Sequence, residues 1–476
     1  MHLRSLLLPA LAAIAFALSA SWLTAASVDE VPDAALTAGP FTTTESGPAS
    51  YMAPAVMLTD GQSAVFAEGH HQFNEPWVVA PDPSGVWGLG PTFNEDRCSQ
   101  CHERNGRARA PRERELAVRG MLVRLSVPGV SAEGGPLPHP VYGDQLQNRG
   151  MAGAVPAEGQ AIFAYDEREV RFADGEVVRL RVPRVTFMQL AFGALGDQTL
   201  TSPRIAPAMV GLGLLEAVPE ATLIDIAKRQ EAHGISGRPN VVWDVERRTA
   251  VIGRFGWKAN QPTLRQQVAA AFHGDIGATT LLFPDENCPP AQKACRELPA
   301  AIQCSGLGAC KGDAFVPEVI PSRLDNITFY LQALAVPARR NTGDPQVRHG
   351  EQLFAKARCD VCHAPVLETG PVAGLSARGI TIRPYTDLLL HDMGEALADH
   401  RPDFLADGRE WRTPPLWGIG LLRTVNGHTD LLHDGRARNV VEAILWHGGE
   451  AEASREMFRA MRKAERNAVM RFVESL

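Results

Sequence analysis

The sequence has little of what marks several common classes of protein. Its 476 residues include 8 cysteines, and its net charge is -7 with acidic and basic residues intermixed. No basic patch favours nucleic acid as a partner. The one long apolar run, from Leu6 to about Leu23, is short for a membrane span and has no charged far flank. No cysteine follows it closely, which argues against a lipid anchor. We therefore expect no stable membrane span.

The first residues instead have the layout of a secretory signal peptide. The start Met1–Ser5 is basic, and the apolar run ends in the small residues Thr24–Ala26. This pattern predicts a signal peptide over 1–26 and export to a periplasm as a soluble protein. Residues 27–58 are rich in Ala, Thr, Ser, Gly and Pro, which predicts an extended lead-in.

Half of the few cysteines lie in two C-x-x-C-H motifs. The motif residues are Cys98, Cys101 and His102, and then Cys359, Cys362 and His363. This is the spacing of c-type haem attachment, in which two thiols add to the porphyrin vinyl groups and the histidine binds the iron. A redox C-x-x-C pair or half a zinc site is the alternative, but each motif carries its histidine in a chain expected to be exported. The sequence thus predicts two covalently bound haem c groups.

The other four cysteines, Cys288, Cys295, Cys304 and Cys310, crowd into one loop. They lack C-x-x-C spacing, so a zinc site is disfavoured. In an oxidising compartment they predict two disulfides, with three pairings open. Since no free C-x-x-C is left, a literal thiol oxidoreductase is disfavoured as well.

Hydrophobic periodicity predicts a mainly α fold: two cytochrome c-like haem domains with inserted β-hairpins and a disulfide-stapled loop. The domains are predicted at 59–336 and 344–476, with a linker at 337–343. Asp325 is expected to cap a helix that closes the first domain. The predicted helices are 61–73, 262–273, 325–334, one running into Cys359, and about 454–476. The predicted strands are 122–127, 177–182, and a hairpin of 241–245 with 250–255.

Two internal echoes suggest a duplication. Residues 207–215 resemble 414–422, and 257–270 can be laid without gaps on 433–446. Each pair follows its own haem motif. We interpret the echoes as one architecture used twice.

The sixth iron ligand should differ between the two haems. Met393, thirty residues past His363, is our choice for the second haem, with His391 as the alternative. A loose alignment puts Phe192 at the matching place in the first half, and phenylalanine cannot bind iron. The first haem is therefore expected to keep an open face, with His139 as the alternative sixth ligand.

Several segments resemble the bacterial di-haem cytochrome c peroxidase superfamily, and more closely its branch of periplasmic di-haem oxidoreductases labelled thiol oxidoreductase-like. The segments shared with the superfamily, besides the two motifs, are Trp411–Leu416 and Leu432–Arg436. The segments typical of the branch are Gly88–Asn94, Tyr142–Gln147, Arg254–Lys258, Leu389–Gly394 and Ala443–Gly449.

The resemblance implies a division of labour. The N-terminal haem would react with peroxide, and the C-terminal haem would receive electrons. Trp257 would be the bridge between them, and Gln267 would be a residue of the distal pocket. The chain departs from the family where Lys258–Asn260 replaces D-G-R and where Gly277 replaces the acid–base glutamate. Asp275 is our hypothesis for that role, with His273 as a second nearby candidate.

The resemblance also bears on ligands and partners. Four arginines, Arg254, Arg265, Arg412 and Arg436, are candidates to pair with haem propionates. A calcium ion between the domains is common among the relatives, but no oxygen-ligand motif announces one here. The expected electron partner is a small redox protein of the cytochrome c or cupredoxin type. The expected oxidant is hydrogen peroxide or another small oxidant.

The sequence thus favours a periplasmic di-haem oxidoreductase that resembles the peroxidases. Two alternatives stay open: a haem enzyme that oxidises a partner protein, as the tryptophylquinone-maturing relatives do, and a non-enzymatic electron-transfer protein. The axial state of the first haem would discriminate between them.

Overall fold

The computed structural model describes residues 33–116, 119–298 and 316–476. The predicted signal peptide, the start of the lead-in, and Cys304 and Cys310 lie outside these ranges. Within them, no helix is both long and apolar enough to cross a membrane.

The prediction of a mainly α fold is wrong, because the described residues are 30% helix and 20% strand, with several small sheets. The α-helices of the described ranges are Asp60–Asn74, Cys98–Cys101, Leu212–Glu216, Glu220–Glu231, Leu264–Ala271, Lys293–Arg296, Pro321–Gln332, Pro345–Lys356, Leu422–Asn426, Val440–Trp446, Glu452–Ala460 and Lys463–Val473. The longer strands are Met121–Val130, Gln160–Arg171, Val177–Met188, Leu200–Ile205, Val241–Asp244 and Thr249–Ile252. The two- and three-residue strands are Thr42–Thr43, Trp77–Val78, Val86–Trp87, Thr92–Phe93, Pro136–Leu137, Arg149–Gly150, Val336–Pro337, Leu367–Glu368, Thr381–Ile382, Leu390–Asp392 and Glu410–Arg412.

Most of the unexpected strand content follows the first haem motif. Gln160–Arg171 and Val177–Met188 form one antiparallel hairpin, paired along its whole length. Met121–Val130 pairs with Leu200–Ile205, which leads the chain back to the first motif. Two- and three-residue strands are too short to show an alternation of their own, so sequence periodicity missed them.

Each half keeps the helix, haem motif and closing helix that were predicted. Asp60–Asn74 packs on Pro321–Gln332, and Pro345–Lys356 packs on Lys463–Val473. Both contacts cross at a glycine: a Cβ on Gly69 would collide with the Asn326 carbonyl, and a Cβ on Gly350 with that of Ala468. The two halves therefore repeat one tight helix crossing.

Three local predictions need correction. Pro321, not Asp325, begins the helix that closes the first half, and Ile320 is its N-cap. Pro262 precedes the N-cap Thr263 instead of lying in the helix, because the Thr263 side chain accepts from the backbone N–H of Gln266. The C-terminal helix is two helices, and the chain is extended at Met461, between them.

The lead-in contacts both halves. Thr42–Thr43 forms a parallel pair with Val336–Pro337, at the predicted linker. Tyr51 is buried, and its hydroxyl donates to the Gly418 carbonyl at 2.5 Å. The stapled loop is supported by one disulfide, Cys288–Cys295.

Candidate functional site

The first haem motif lies on a single helical turn, Cys98–Cys101. The His102 ring bonds through Nδ1 to the Pro207 carbonyl at 2.9 Å. Burial lowers the pKa of His102 to about 4, so its ring is neutral. A neutral imidazole with Nδ1–H on a carbonyl offers Nε2 to a metal. His102 thus has the state that an iron ligand needs.

The second motif repeats this arrangement. Cys359–Val361 forms a 3-10 turn, and His363 bonds through Nδ1 to the Tyr385 carbonyl at 3.0 Å. Burial also lowers the pKa of His363 to about 4. Burial raises the pKa of Cys98 and of Cys359 to about 12, which disfavours thiolates and with them the zinc alternative.

A large cavity opens beside the second motif. We call it the second cavity, because it adjoins the second motif. Its wall includes Cys359, Cys362, His363, Met393, Trp411 and His447 from the C-terminal half. Tyr51, Arg107, Ala208 and Trp257 come from the N-terminal half. Both halves therefore contribute to one binding site.

The donor set of the second cavity fits a haem. Arg107 and Arg412 lie in its wall, and burial lowers the pKa of each to about 10. Arg107 donates to the Leu432 carbonyl, and Arg412 to the carbonyls of Gly256 and Thr413. Neither guanidinium has a hydrogen-bonded carboxylate within the described ranges. Buried cations of this kind suit propionate groups.

The other arginines predicted for propionates have partners already. Arg265 pairs with Glu246 and Asp325 at the surface. Arg436 pairs with Asp434 at 2.8 Å. Arg254 donates to the Val218 carbonyl at 2.7 Å. The sequence predicted Arg412 but not Arg107. Arg107 lies five residues past His102, and nothing in the sequence around it indicates that it contributes to the site of the second motif.

Besides His363, four side chains in the cavity wall carry a possible sixth ligand: Met393, as predicted, His391, His433 and His447. His433 stacks on the Trp411 ring, and its Nε2 lies 3.9 Å from Asp434. Sequence reasoning did not select His447, although the segment Ala443–Gly449 that contains it was singled out. The alternative, His391, has both ring nitrogens on carboxylates, Nε2 on Asp387 and Nδ1 on Glu450, each at 2.8 Å. Its nitrogens are therefore not available to iron.

His391 also belongs to the one group of three possible metal ligands found within the described ranges, with Cys362 and Asp387. Burial opposes charge on His391, but Asp387, Cys362 and Glu450 outweigh burial and raise its pKa well above the usual value. We interpret His391 as a charged imidazolium that is held between the carboxylates of Asp387 and Glu450. A cysteine sulfur does not suit calcium.

Trp257 is hydrogen-bonded to the strand that ends two residues before Pro207, the hydrogen-bond partner of His102. Its indole N–H donates to the Ile205 carbonyl at 2.8 Å, two residues before Pro207. The Arg107 guanidinium lies 4.9 Å from the centre of its ring. Trp257 also lines the second cavity.

The second echo of the sequence is one structural unit used twice. Phe255 bridges to Gln261, and 176 residues later Leu431 bridges to Ala437. In each loop the residue after the first bridge partner has positive φ: 80° at Gly256 and 69° at Leu432. A capped helix follows in both: Thr263 accepts from Gln266, and Asn439 accepts from Glu442. Trp257 in the first unit thus takes the place of His433 in the second.

The first echo also keeps its shape. Gly211 and Gly418 are both left-handed N-caps, with φ of 61° and 76°. The two turns face each other, because the Trp417 indole donates to the Val210 carbonyl at 3.2 Å.

Lys258, which departs from the family pattern, connects the halves. Its ammonium group is fully buried and donates to Asp399, to the Arg401 carbonyl and to the Asp407 carbonyl, at 2.7 to 2.8 Å. It also lies 4.6 Å from the centre of the Trp411 ring, which stacks on His433 at 3.7 Å. All three of its donors are satisfied, which makes a buried lysine tolerable.

Asp275 lies near the first motif, in a π-helical turn, Phe272–Ile276. Burial raises its pKa, and Arg124 opposes the shift. After burial, Asp275 is the next contribution that raises the pKa of both Cys98 and Cys101. Its carboxylate accepts from the side chain of Gln145 at 2.9 Å. π-helical turns are frequent at functional sites.

The remaining predicted residues of the first half are less well placed. Gln267 is half-buried, and its neighbour Gln266 makes the buried polar contacts, to Val245 and Trp243. His139 bonds through Nε2 to the Leu195 carbonyl and accepts at Nδ1 from two backbone N–H groups. Its nitrogens are thus occupied.

The last two residues singled out in the first half, Phe192 and His273, both make ring contacts. Phe192 packs edge-on against Tyr142 at 6.0 Å, which gives it a structural contact. The ring of His273 lies 5.6 Å from Phe283, and burial lowers its pKa.

A family model described as "Di-haem oxidoreductase, putative peroxidase" matches residues 32–476. None of the curated proteins matches the chain, and none of the solved structures does. Because the family match covers nearly the whole chain, this protein belongs to the di-haem oxidoreductase family.

Proposed function

We propose that this member of the di-haem oxidoreductase family is an exported peroxidase that carries two covalently attached haem c groups. Cys98, Cys101 and His102 hold the first, and Cys359, Cys362 and His363 hold the second. The signal-like N-terminus supports export to a periplasm.

One observation carries the division of labour. The Trp257 indole lines the second cavity and donates to Ile205, and two residues further on Pro207 accepts from the ring of His102. A short stretch of chain therefore connects the environments of the two motifs. This supports Trp257 as the route by which electrons pass from the second haem to the first.

The haem groups would supply one-electron redox chemistry at both sites. The chain's own residues set the conditions. His102 and His363 are held neutral and oriented by backbone carbonyls. Arg107 and Arg412 would anchor propionates at the second site. Asp275 lies beside the first motif, and burial raises the pKa of its carboxyl, which suits it to carry a proton to a peroxide oxygen.

The balanced reaction has three inputs. Hydrogen peroxide takes up two electrons and two protons, its O–O bond breaks, and two water molecules leave. The electrons would come from a small redox protein of the cytochrome c or cupredoxin type, which is oxidised. Asp275 would relay one proton between the two oxygens, and solvent would supply the net uptake.

Spectroscopy of the purified holoprotein, with and without peroxide, tests this proposal. We expect high-spin ferric haem from an open first site and low-spin haem from the second. His102→Ala should abolish reaction with peroxide and leave the low-spin spectrum. His363→Ala is the matched control. It removes the histidine ligand of the second haem and should leave peroxide binding at the first haem unchanged.

The alternatives are outcomes of the same measurement. Two low-spin haems in the oxidised and half-reduced protein would identify an electron-transfer protein. Unchanged reaction with peroxide in His102→Ala would remove the catalytic assignment of the first haem.

A further inference from the structure

We infer that His447 supplies the sixth ligand to the iron of the second haem, in the position that sequence reasoning gave to Met393. The inference deepens the proposed function and rests on the attachment of that haem at Cys359 and Cys362.

The first observation is the position of His447. It directly follows the helix Val440–Trp446, and it lines the second cavity together with Ala443 and Ile444 of that helix. His363 lines the same cavity. The ring at 447 is therefore in the same enclosed space as the proximal histidine.

The second observation is the hydrogen bond of the ring. Nδ1 bonds to the Ala443 carbonyl at 2.6 Å. His102 and His363 bond through Nδ1 to backbone carbonyls in the same way. A proton on Nδ1 leaves the lone pair on Nε2, which is the form that binds metal. Within the described ranges, Nε2 of His447 has no hydrogen-bond partner.

The third observation comes from the repeated unit. The offset of 176 residues that superposes the two loops places Ala271 opposite His447. Ala271 is the last residue of the helix Leu264–Ala271, and His447 is the residue directly after the helix Val440–Trp446. Alanine cannot bind iron. The one scaffold therefore presents an imidazole in the second half and only a methyl group in the first.

Met393 is close to this position but is held differently. Its backbone N–H bonds to the Arg409 carbonyl at 3.1 Å, and its side chain packs against the main apolar core. Gly394 and Gly449 lie against each other so closely that a Cβ on Gly394 would come within 2.8 Å of the Gly449 nitrogen. The two segments thus lie side by side. A hydrogen bond orients the His447 ring, whereas the Met393 thioether has no hydrogen bond within the described ranges.

The choice of ligand determines what the protein can accept electrons from. A thioether ligand raises the potential of a haem, and an imidazole in its place leaves the potential lower. With two imidazoles, the second haem needs a more reducing donor than a haem with one imidazole and one thioether does.

The experiment compares variants of the holoprotein, each checked for two attached haems by mass and by pyridine haemochrome. His447→Met should produce a thioether-to-iron charge-transfer band that the unmodified protein lacks, and should raise the midpoint potential. Met393→Leu is the matched control and should leave the low-spin signal and the potential unchanged. His447→Gly should turn the second haem high-spin, and added imidazole should restore the low-spin signal.

A thioether band in the unmodified protein that disappears in Met393→Leu would overturn the inference and leave the proposed function intact. A low-spin second haem that persists in His447→Gly without imidazole would also overturn it. A holoprotein without covalently attached haem would overturn both proposals, and the haem count identifies that case before any variant is measured.

Discussion

The two halves of the chain share a scaffold and differ in what they place around the predicted iron. In each half, the helix before the motif packs against a helix after the motif, and a glycine lies at their crossing point. In each half, a backbone carbonyl also accepts a hydrogen bond from the motif histidine. Both repeat the bridged loop and its capped helix. The first half ends that helix at Ala271 and adds Asp275 in the next turn. The second half ends it before His447.

This difference shows how one scaffold can support two tasks. Filling the sixth position makes an electron carrier, and leaving it open beside a proton donor makes a catalyst. The two units share the bridged loop and the capped helix, and they diverge where that helix ends. The first continues from Ala271 into the π-helical turn Phe272–Ile276, and the second leaves the helix at His447. The predictions below test Asp275, then Trp257, and then the two N-caps of the repeated unit.

The largest effect is expected from Asp275→Asn. If this carboxyl moves the proton in peroxide cleavage, its loss should reduce turnover by about 10²- to 10⁴-fold. Stopped-flow kinetics with peroxide would measure the change. His273→Gln, at the alternative candidate, should have a small effect. If instead His273→Gln has the larger effect, the roles of the two residues are reversed.

A smaller effect is expected from Trp257→Phe, which removes the indole but keeps a ring. Electron transfer from the second haem to the first should slow by roughly tenfold or more, corresponding to ~1.4 kcal/mol in activation free energy. Peroxide binding should not change. Rapid-mixing spectroscopy of the half-reduced protein measures the rate. Trp77→Phe, at a buried tryptophan packed on Phe272, is the control. Equal rates in the two variants would exclude the proposed bridge.

The smallest effect is expected at the two N-caps. Thr263→Ala and Asn439→Ala each remove a side chain that accepts a backbone N–H at the start of the repeated helix. Each should lower the free energy of unfolding by about 1 kcal/mol, measured by denaturant titration of the holoprotein. Thr263→Ser and Asn439→Asp keep the cap and should be near neutral. A cost at only one of the two caps would mean that the units are not equivalent.

Local patterns were readable from the sequence. The motifs, the helix before each motif, and the gapless echo of 257–270 on 433–446 follow from spacing within a few dozen residues, and the structure keeps all of them. The strands were underestimated because short ladders such as Thr42–Thr43 with Val336–Pro337 depend on a partner nearly 300 residues away.

Site residues were missed for the same reason. Arg107 and Tyr51 reach the second cavity only through the fold, and nothing near them in sequence points to it. His447 lies at the end of a helix, and no sequence pattern there distinguishes an iron ligand from an ordinary histidine. Lys258 was recognised only as a departure from the family pattern, and its three acceptors lie on a loop some 140 residues further on.

The wall of the second cavity has a consequence for assembly. Tyr51, Arg107 and Trp257 close one side of it, although the motif it serves lies far beyond them in the chain. A fragment beginning after the linker would present its porphyrin with one flank exposed to water. We therefore expect that the C-terminal half cannot mature as a free-standing cytochrome, and that the N-terminal half must already be in place when the second pocket closes.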